Sequence, residues 1–242
     1  MIRIFDLDSG IDRAAAARRF ARDGRVQIRN LLTPQSAANL QDIIARQTPW
    51  GIAWQAGSTG PQRLDARQIA AMPPPRQREL IETIHRSAAK GEYAVRFTQY
   101  AILDAYLQAG APSGPHDLAL EHLNDTPFLE LVREVTGIPE LAKADAQATL
   151  YGPGDFLSVH NDSHVTEGWR VAYVLNLTSA DWQPDWGGYL NFLDEDGDVI
   201  CGWKPRFNTL NLLRVPQLHQ VTYVPPFAQR ARYAITGWLR DR

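Results

Sequence analysis

Within the stretch FLSVHND, His160 and Asp162 stand two residues apart. Side chains on a strand alternate between its faces, so at this spacing an imidazole and a carboxylate would project together while Asn161 turned away. The pair offers a nitrogen and an anionic oxygen to a divalent cation, and a third ligand must come from elsewhere in the fold. If that ligand is a second histidine, the three form a 2-His-1-carboxylate set, which leaves three adjacent positions of an octahedral iron open.

Six histidines supply the candidates. His85, His116 and His122 fall in helical stretches and read as surface or interhelix side chains. His164 follows in the loop-like run from Ser163 to Gly168, where an exposed histidine is expected. His219, in RVPQLHQVTYV between strand-like segments, remains as the third ligand. The single cysteine, Cys201, excludes an internal disulfide and a cysteine-based zinc site. Cys201 itself reads as buried and inert.

The chain must build a frame that brings these groups together. Its 242 residues suffice for one substantial core, and its net charge of -2 lacks the basic surplus expected of a nucleic-acid binder. The Arg-rich stretch RAAAARRFARDGR reads as the solvated face of a helix. MIRIFDLDSG carries acids and no long apolar run, which argues against a signal peptide, and no window approaches the roughly 18 apolar residues that span a bilayer. The expectation is a cytoplasmic protein with neither a membrane nor a nucleic-acid partner.

Residues 1–148 read mainly as helix. IDRAAAARRFARDG stops at Gly24, Thr33-Pro34 opens a helix through Ala45, and RQRELIETIHRSAAKG ends at Gly91. VQIRNLL and EYAVRFTQYAIL read as extended, HDLALEHLN and PFLELVREVTG as helical. Residues 47–75, rich in Gly and Pro, read as a long irregular segment that could gate a pocket. From 149 onward the pattern changes to short strands: TLYGPG, DFLSVHND, WRVAYVLNLT, GGYLNFLD, DVICGW, FNTLNLLRV, HQVTYV and RYAITGWLR. Asp196-Gly197 suits a hairpin turn, Gly187-Gly188 a tight bend or close backbone approach, and Asn208-Thr209 a turn. Trp182 and Trp186 read either as a rim over the site or as rings packed on the sheet. The expected architecture is α+β, a single domain in which a jelly-roll core (149–242) is supported by N-terminal helices (1–148) on one sheet.

The order of YGPGDFLSVHND, WRVAYVLNLT, WGGYLNFLD, PRFNTLNLLRV, HQVTYV and RYAITGW resembles the prolyl 4-hydroxylase-like iron(II)/2-oxoglutarate oxygenases over about 149–240. The branch with the ribosomal-protein and hypoxia-factor prolyl hydroxylases is the nearest in pattern, and HDLALEHLNDTPFLELVREVTGIP looks like the helical lead-in of its ribosomal-protein group. This resemblance implies a double-stranded β-helix with iron(II) on His160, Asp162 and His219. It also implies that 2-oxoglutarate is anchored by a basic residue before the last strand, here Arg232, and by Tyr151. The inserted VPPFAQRA leaves Arg230 as a competitor, and alternation puts 230 and 232 on one face. Arg232 is favoured, because it shares that face with Thr236 and Trp238, whereas Arg230 falls in the loop after Pro225-Pro226.

The family likeness further implies O2 as co-substrate, succinate and CO2 as products, ascorbate as a further candidate cofactor, and a prolyl residue of a protein or peptide as the substrate. Asp162 argues for hydroxylation, since related halogenases replace this carboxylate with a small residue. Two other readings stand beside this one. The same iron site could hydroxylate a free amino acid or other small metabolite, or the jelly roll could be a non-catalytic binding module with a structural zinc.

Overall fold

The computed structural model describes residues 3–110, 112, 114–163 and 168–242. The first part of the chain supplies seven helices among these residues, α1 (Arg13–Asp23), α2 (Pro34–Gln47), α3 (Ala66–Ala71), α4 (Pro74–Ala89), α5 (Ile102–Ala109), α6 (Pro115–Leu123) and α7 (Thr126–Thr136). It also supplies the strands β1 (Arg25–Arg29), β2 (Gly51–Ala56), β3 (Gln62–Leu64), β4 (Ala94–Tyr100) and β5 (Lys143–Ala144). The remainder is β6 (Gln147–Tyr151), β7 (Phe156–His160), β8 (Trp169–Asn176), β9 (Leu190–Leu193), β10 (Val199–Trp203), β11 (Thr209–Arg214), β12 (His219–Val221) and β13 (Arg232–Arg240).

The helix boundaries follow from the residues at them. Gly24 closes α1 in the left-handed region at φ 66, and its N–H donates to the Phe20 carbonyl. Thr33 opens α2 by accepting the Ser36 N–H, with Pro34 in the first turn. No described helix is long and apolar enough to cross a membrane.

Ten strands run through one curled antiparallel sheet in the order β1-β11-β8-β13-β6-β4-β7-β12-β9-β10, with β2 added on β4, β3 on β2 and β5 on β13, which is the jelly roll expected from the sequence. Alternation gives each strand two faces. Val171, Tyr173 and Leu175 of β8 and Ile235 and Leu239 of β13 join the core under the helices, with Phe20, Leu40, Phe128 and Val132. Their neighbours Ala172, Val174 and Trp238 turn into the lumen with Leu190, Phe192 and Leu213. Complete burial of a Leu or Phe side chain stabilises by about 1.5–3 kcal/mol, so this helix-backed wall is the rigid side of the frame.

Three features differ from the sequence expectation. Residues 47–75 are not irregular: β2 and β3 form a hairpin, β2 pairs with β4 along its whole length, and α3 follows. The run after Tyr100 turns helical as α5. The helices also divide between two faces, since Ile84 of α4 packs with Ala56 and Ala94 on a separate flank, outside the main helical core.

Candidate metal centre and its anion pocket

His160 ends β7 and His219 begins β12, and the two are directly paired across these strands. Their ring centroids lie 4.1 Å apart. Asp162 reaches the same point, but not by strand alternation: β7 has ended, and the residue sits in the left-handed region at φ 55. Asp tolerates this conformation better than most residues, and the turn swings its carboxylate back over the strand end. The turn is pinned by the Gln217 N–H on the Asn161 carbonyl (3.2 Å) and the Ser163 N–H on Asn161 Oδ1 (3.2 Å). Asp162 Oδ1 lies 3.4 Å from His160 Nε2 and Oδ2 lies 3.5 Å from His219 Nε2.

Both imidazoles are oriented by their other nitrogen. His160 Nδ1 is 2.9 Å from the Ser158 carbonyl and His219 Nδ1 is 2.7 Å from the Gln217 carbonyl. A carbonyl only accepts, so each Nδ1 carries a proton and each Nε2 is the nitrogen turned to the site. Burial, with the charge of His160 adding to it, pushes His219 down to about 4, which outweighs Asp162 and the Gln217 hydrogen bond and keeps the ring neutral at neutral pH. Burial would raise Asp162, yet hydrogen bonding and charge from His160, then His219 and Trp238, hold it below the usual carboxylate range. Two imidazole nitrogens and one carboxylate oxygen, all within 4.8 Å of one another, make a donor set that fits a divalent cation.

The second cluster lies farther down the lumen. Arg232 begins β13 opposite Tyr151 in register, with its guanidinium carbon 5.1 Å from the Tyr151 ring centroid. It is 3% exposed, makes no ion pair among the described residues, and leaves Nε and Nη1 without hydrogen-bond partners. Burial lowers its pKa, because a charge without a partner is disfavoured there. Arg230, the competitor, is exposed and faces Asp181 at 3.4 Å. Tyr151 stacks on Phe97 at 5.1 Å, and its buried phenol is pushed well up, so it stays a neutral donor.

The strap bearing Trp182 closes this end. Trp182 is packed, 1% exposed, against Tyr151, Val221 and Val224, and its Nε1–H donates to the Gly187 carbonyl at 3.2 Å. Gly187 and Gly188 have φ 61 and 65, and a Cβ on Gly187 would collide with the Tyr223 carbonyl. Here glycine is required for close approach.

One expectation changes and one is met. Cys201 is partly exposed on β10, an edge strand, rather than buried. His116 is buried at 7% and contacts Thr48 Oγ1 at 2.9 Å, an interhelix role. His164 lies outside the described residues.

Sequence reasoning missed Tyr93. It precedes β4, its ring stands edge-on to His160 at 6.3 Å, and its hydroxyl has no hydrogen-bond partner among the described residues. Burial, and then the charge of Asp162, push its pKa up to about 12. Only the lumen-facing alternation of Tyr93, Val95 and Phe97 could have hinted at it. A groove of about 400 Å³ between α4 and β7/β12, lined by His85, Phe156 and Tyr223, flanks the same strands without including the triad.

Comparison with known proteins agrees with this geometry. Residues 146–240 match the sequence model of the 2OG-Fe(II) oxygenase superfamily. No curated protein sequence matches significantly. Among solved structures, a Pseudomonas putida prolyl-4-hydroxylase is 19% identical with TM-score 0.56, covering 95% of this chain and 92% of that one. A Trichoplax adhaerens prolyl hydroxylase, in complex with a hypoxia inducible factor peptide fragment, is 16% identical with TM-score 0.59, covering 95% and 89%. SnoN, a non-heme alpha-ketoglutarate-dependent epimerase from nogalamycin biosynthesis, is 12% identical with TM-score 0.55, covering 94% and 82%. Residues 146–240 thus match the 2OG-Fe(II) oxygenase superfamily in sequence, and the chain shares its fold with prolyl hydroxylases of known structure.

Proposed function

We propose that the chain is an iron(II)- and 2-oxoglutarate-dependent hydroxylase whose substrate is a prolyl residue of a protein or peptide. His160, Asp162 and His219 hold the iron, and Arg232 with Tyr151 holds the far carboxylate of 2-oxoglutarate. The observation that carries this reading is Arg232, a guanidinium buried in the lumen with two nitrogens unsatisfied. A buried charge without a partner is costly, and a carboxylate matches its planar fork through two charge-assisted hydrogen bonds. A jelly roll holding only a structural zinc has no use for such a group.

Bound iron supplies the oxygen activation that no side chain can perform. The protein's own contribution is orientation and exclusion of water. The carbonyls of Ser158 and Gln217 hold both imidazoles to the lumen, and Asp162 balances cation charge. Arg232 and Tyr151 fix one end of the co-substrate so that its other end extends back toward the triad. Phe97, Trp182, Val221 and Val224 keep that slot dry, which strengthens each polar contact inside it. At the mouth, Trp238 stacks on Trp169 at 3.9 Å and gives the substrate a flat aromatic wall beside Asp162. The prolyl assignment is supported by likeness in fold to prolyl hydroxylases, one of them bound to a peptide.

The test is succinate formation from 2-oxoglutarate with iron(II) and O2, screened against proline-containing peptides, free amino acids and a substrate-free control. Stimulation by peptides supports the proposal. Stimulation by free amino acids alone would overturn the protein-substrate assignment while leaving the co-substrate chemistry in place.

A further inference from the structure

The mouth of the lumen carries a cation that neither the triad nor the co-substrate pocket uses. Val26 and Ile28 of β1 turn to the helical core, so Arg25 and Gln27 face the lumen side. The guanidinium carbon of Arg25 lies 4.7 Å from the centroid of the Phe192 ring. Phe192 is fully buried and pairs in register with His219, with ring centroids 6.4 Å apart. The guanidinium is therefore no farther from the His219 ring than those two spacings laid end to end, about the length of three extended residues.

Arg25 makes no ion pair among the described residues. Asp23, the nearest acid in sequence, is held by Arg22 through two hydrogen bonds of 2.8 Å, which with the charges of Arg22 and then Arg25 lower its pKa. Among the described residues, the one side-chain hydrogen bond of Arg25 is a long 3.4 Å contact with the Asp23 carbonyl. Stacking on an aromatic face fixes a guanidinium while leaving its N–H edge free, and that edge matches a carboxylate in a bidentate fashion. Trp238, beside Asp162, belongs to the same lumen cluster as Phe192, so the cation borders the space a substrate must enter.

We propose that Arg25 anchors a carboxylate of the substrate at the lumen mouth and so selects acidic substrates. This rests on the hydroxylase reading of the site and adds a requirement to it. The carboxylate can be the α-carboxylate of a free amino acid or an Asp or Glu side chain near the target residue of a peptide. The chemistry at Arg25 is the same, and the two sources are separate arms of one experiment.

Protein loaded anaerobically with iron(II) and 2-oxoglutarate is titrated with two probe pairs, following tryptophan fluorescence. L-proline is compared with L-prolinamide, and acetyl-Pro-Asp-amide with acetyl-Pro-Asn-amide. The expected result is at least tenfold tighter binding of the acid in one pair. Arg25→Gln and Arg25→Met should bring that pair within about twofold, with 2-oxoglutarate affinity and melting temperature unchanged. If Arg25→Met melts early through loss of the stack on Phe192, Arg25→Lys, which keeps charge but not the fork, should show a reduced preference. Equal binding or no binding of both members of each pair by the unmodified chain overturns the proposal, as does a preference that survives in Arg25→Gln. Either outcome with 2-oxoglutarate binding intact leaves the hydroxylase reading standing, whereas failure of the unmodified chain to bind 2-oxoglutarate removes that reading itself.

Discussion

Replacing Arg232 by Met should change ligand binding and stability in opposite directions. The side chain is 3% exposed and two of its nitrogens are unsatisfied in the ligand-free chain. Removing one partner from a buried, hydrogen-bonded charge pair costs about 3–5 kcal/mol. At about 1.4 kcal/mol per power of ten, the affinity for 2-oxoglutarate should fall by roughly two to three and a half powers. Without ligand the same substitution removes a buried charge that nothing compensates, so Arg232→Met should unfold at higher denaturant, by at least about 1 kcal/mol. Calorimetric titration of 2-oxoglutarate into manganese-loaded protein measures the first effect, and urea unfolding with and without ligand measures the second. At a hundredfold excess over Kd the ligand should stabilise the unmodified chain by about 2.7 kcal/mol and the variant hardly at all. An affinity within threefold of the original would refute the reasoning, because the guanidinium would then hold no carboxylate. Destabilisation of the ligand-free variant would show that Arg232 is satisfied in the fold.

Other consequences can be checked separately. Tyr93→Phe, which removes an unpartnered hydroxyl beside His160 and Asp162, should lower kcat/KM for substrate about fivefold and leave the melting temperature unchanged, since one hydrogen bond contributes roughly 1 kcal/mol. Gly187→Ala forces a Cβ toward the Tyr223 carbonyl at φ 61 and should lower stability by more than about 1 kcal/mol in urea melts. Asp155 is pushed up to about 6 by burial, which outweighs Arg96 at 2.9 Å and the Gly152 N–H. Its folded pKa exceeds its unfolded value, so the proton it retains stabilises the fold below about pH 4, and that contribution, of order 3 kcal/mol, is lost as pH rises to about 6. His219, pushed down to about 4, has the opposite slope over pH 4–6.5 in the metal-free chain. Asp155→Asn should therefore make metal-free protein lose stability more steeply on acidification from pH 6.5 to 4, as read by urea melts across that range.

Much of the site was legible because its residues lie at strand ends where short patterns speak. The eight strand-like runs after 148 all form strands, and the pairing of His160 with His219 follows from β7 and β12 lying side by side. Alternation grouped Arg232 with Thr236 and Trp238 correctly, and burial then separated it from Arg230. The same rule gave the right partner for the wrong reason at Asp162, which arrives through a left-handed turn held by Gln217 and Asn161. That turn depends on hydrogen bonds from a segment distant in sequence, and local pattern does not encode it. Residues 47–75 escaped for a related reason: GIAWQA lacks a periodic signal and becomes a strand because β4 lies beside it. Tyr93 reaches His160 from the position just ahead of β4, and a lone Tyr there carries no local mark of that.

The central claim is that two histidines from neighbouring strands and the aspartate of the turn after β7 hold a ferrous ion that 2-oxoglutarate then chelates. Anaerobic addition of iron(II) and 2-oxoglutarate, followed by visible absorption, tests it most directly. The account predicts a charge-transfer band in the unmodified chain and its loss in His160→Ala. Absence of the band in well-folded unmodified protein, or its persistence at full strength in His160→Ala, would contradict it.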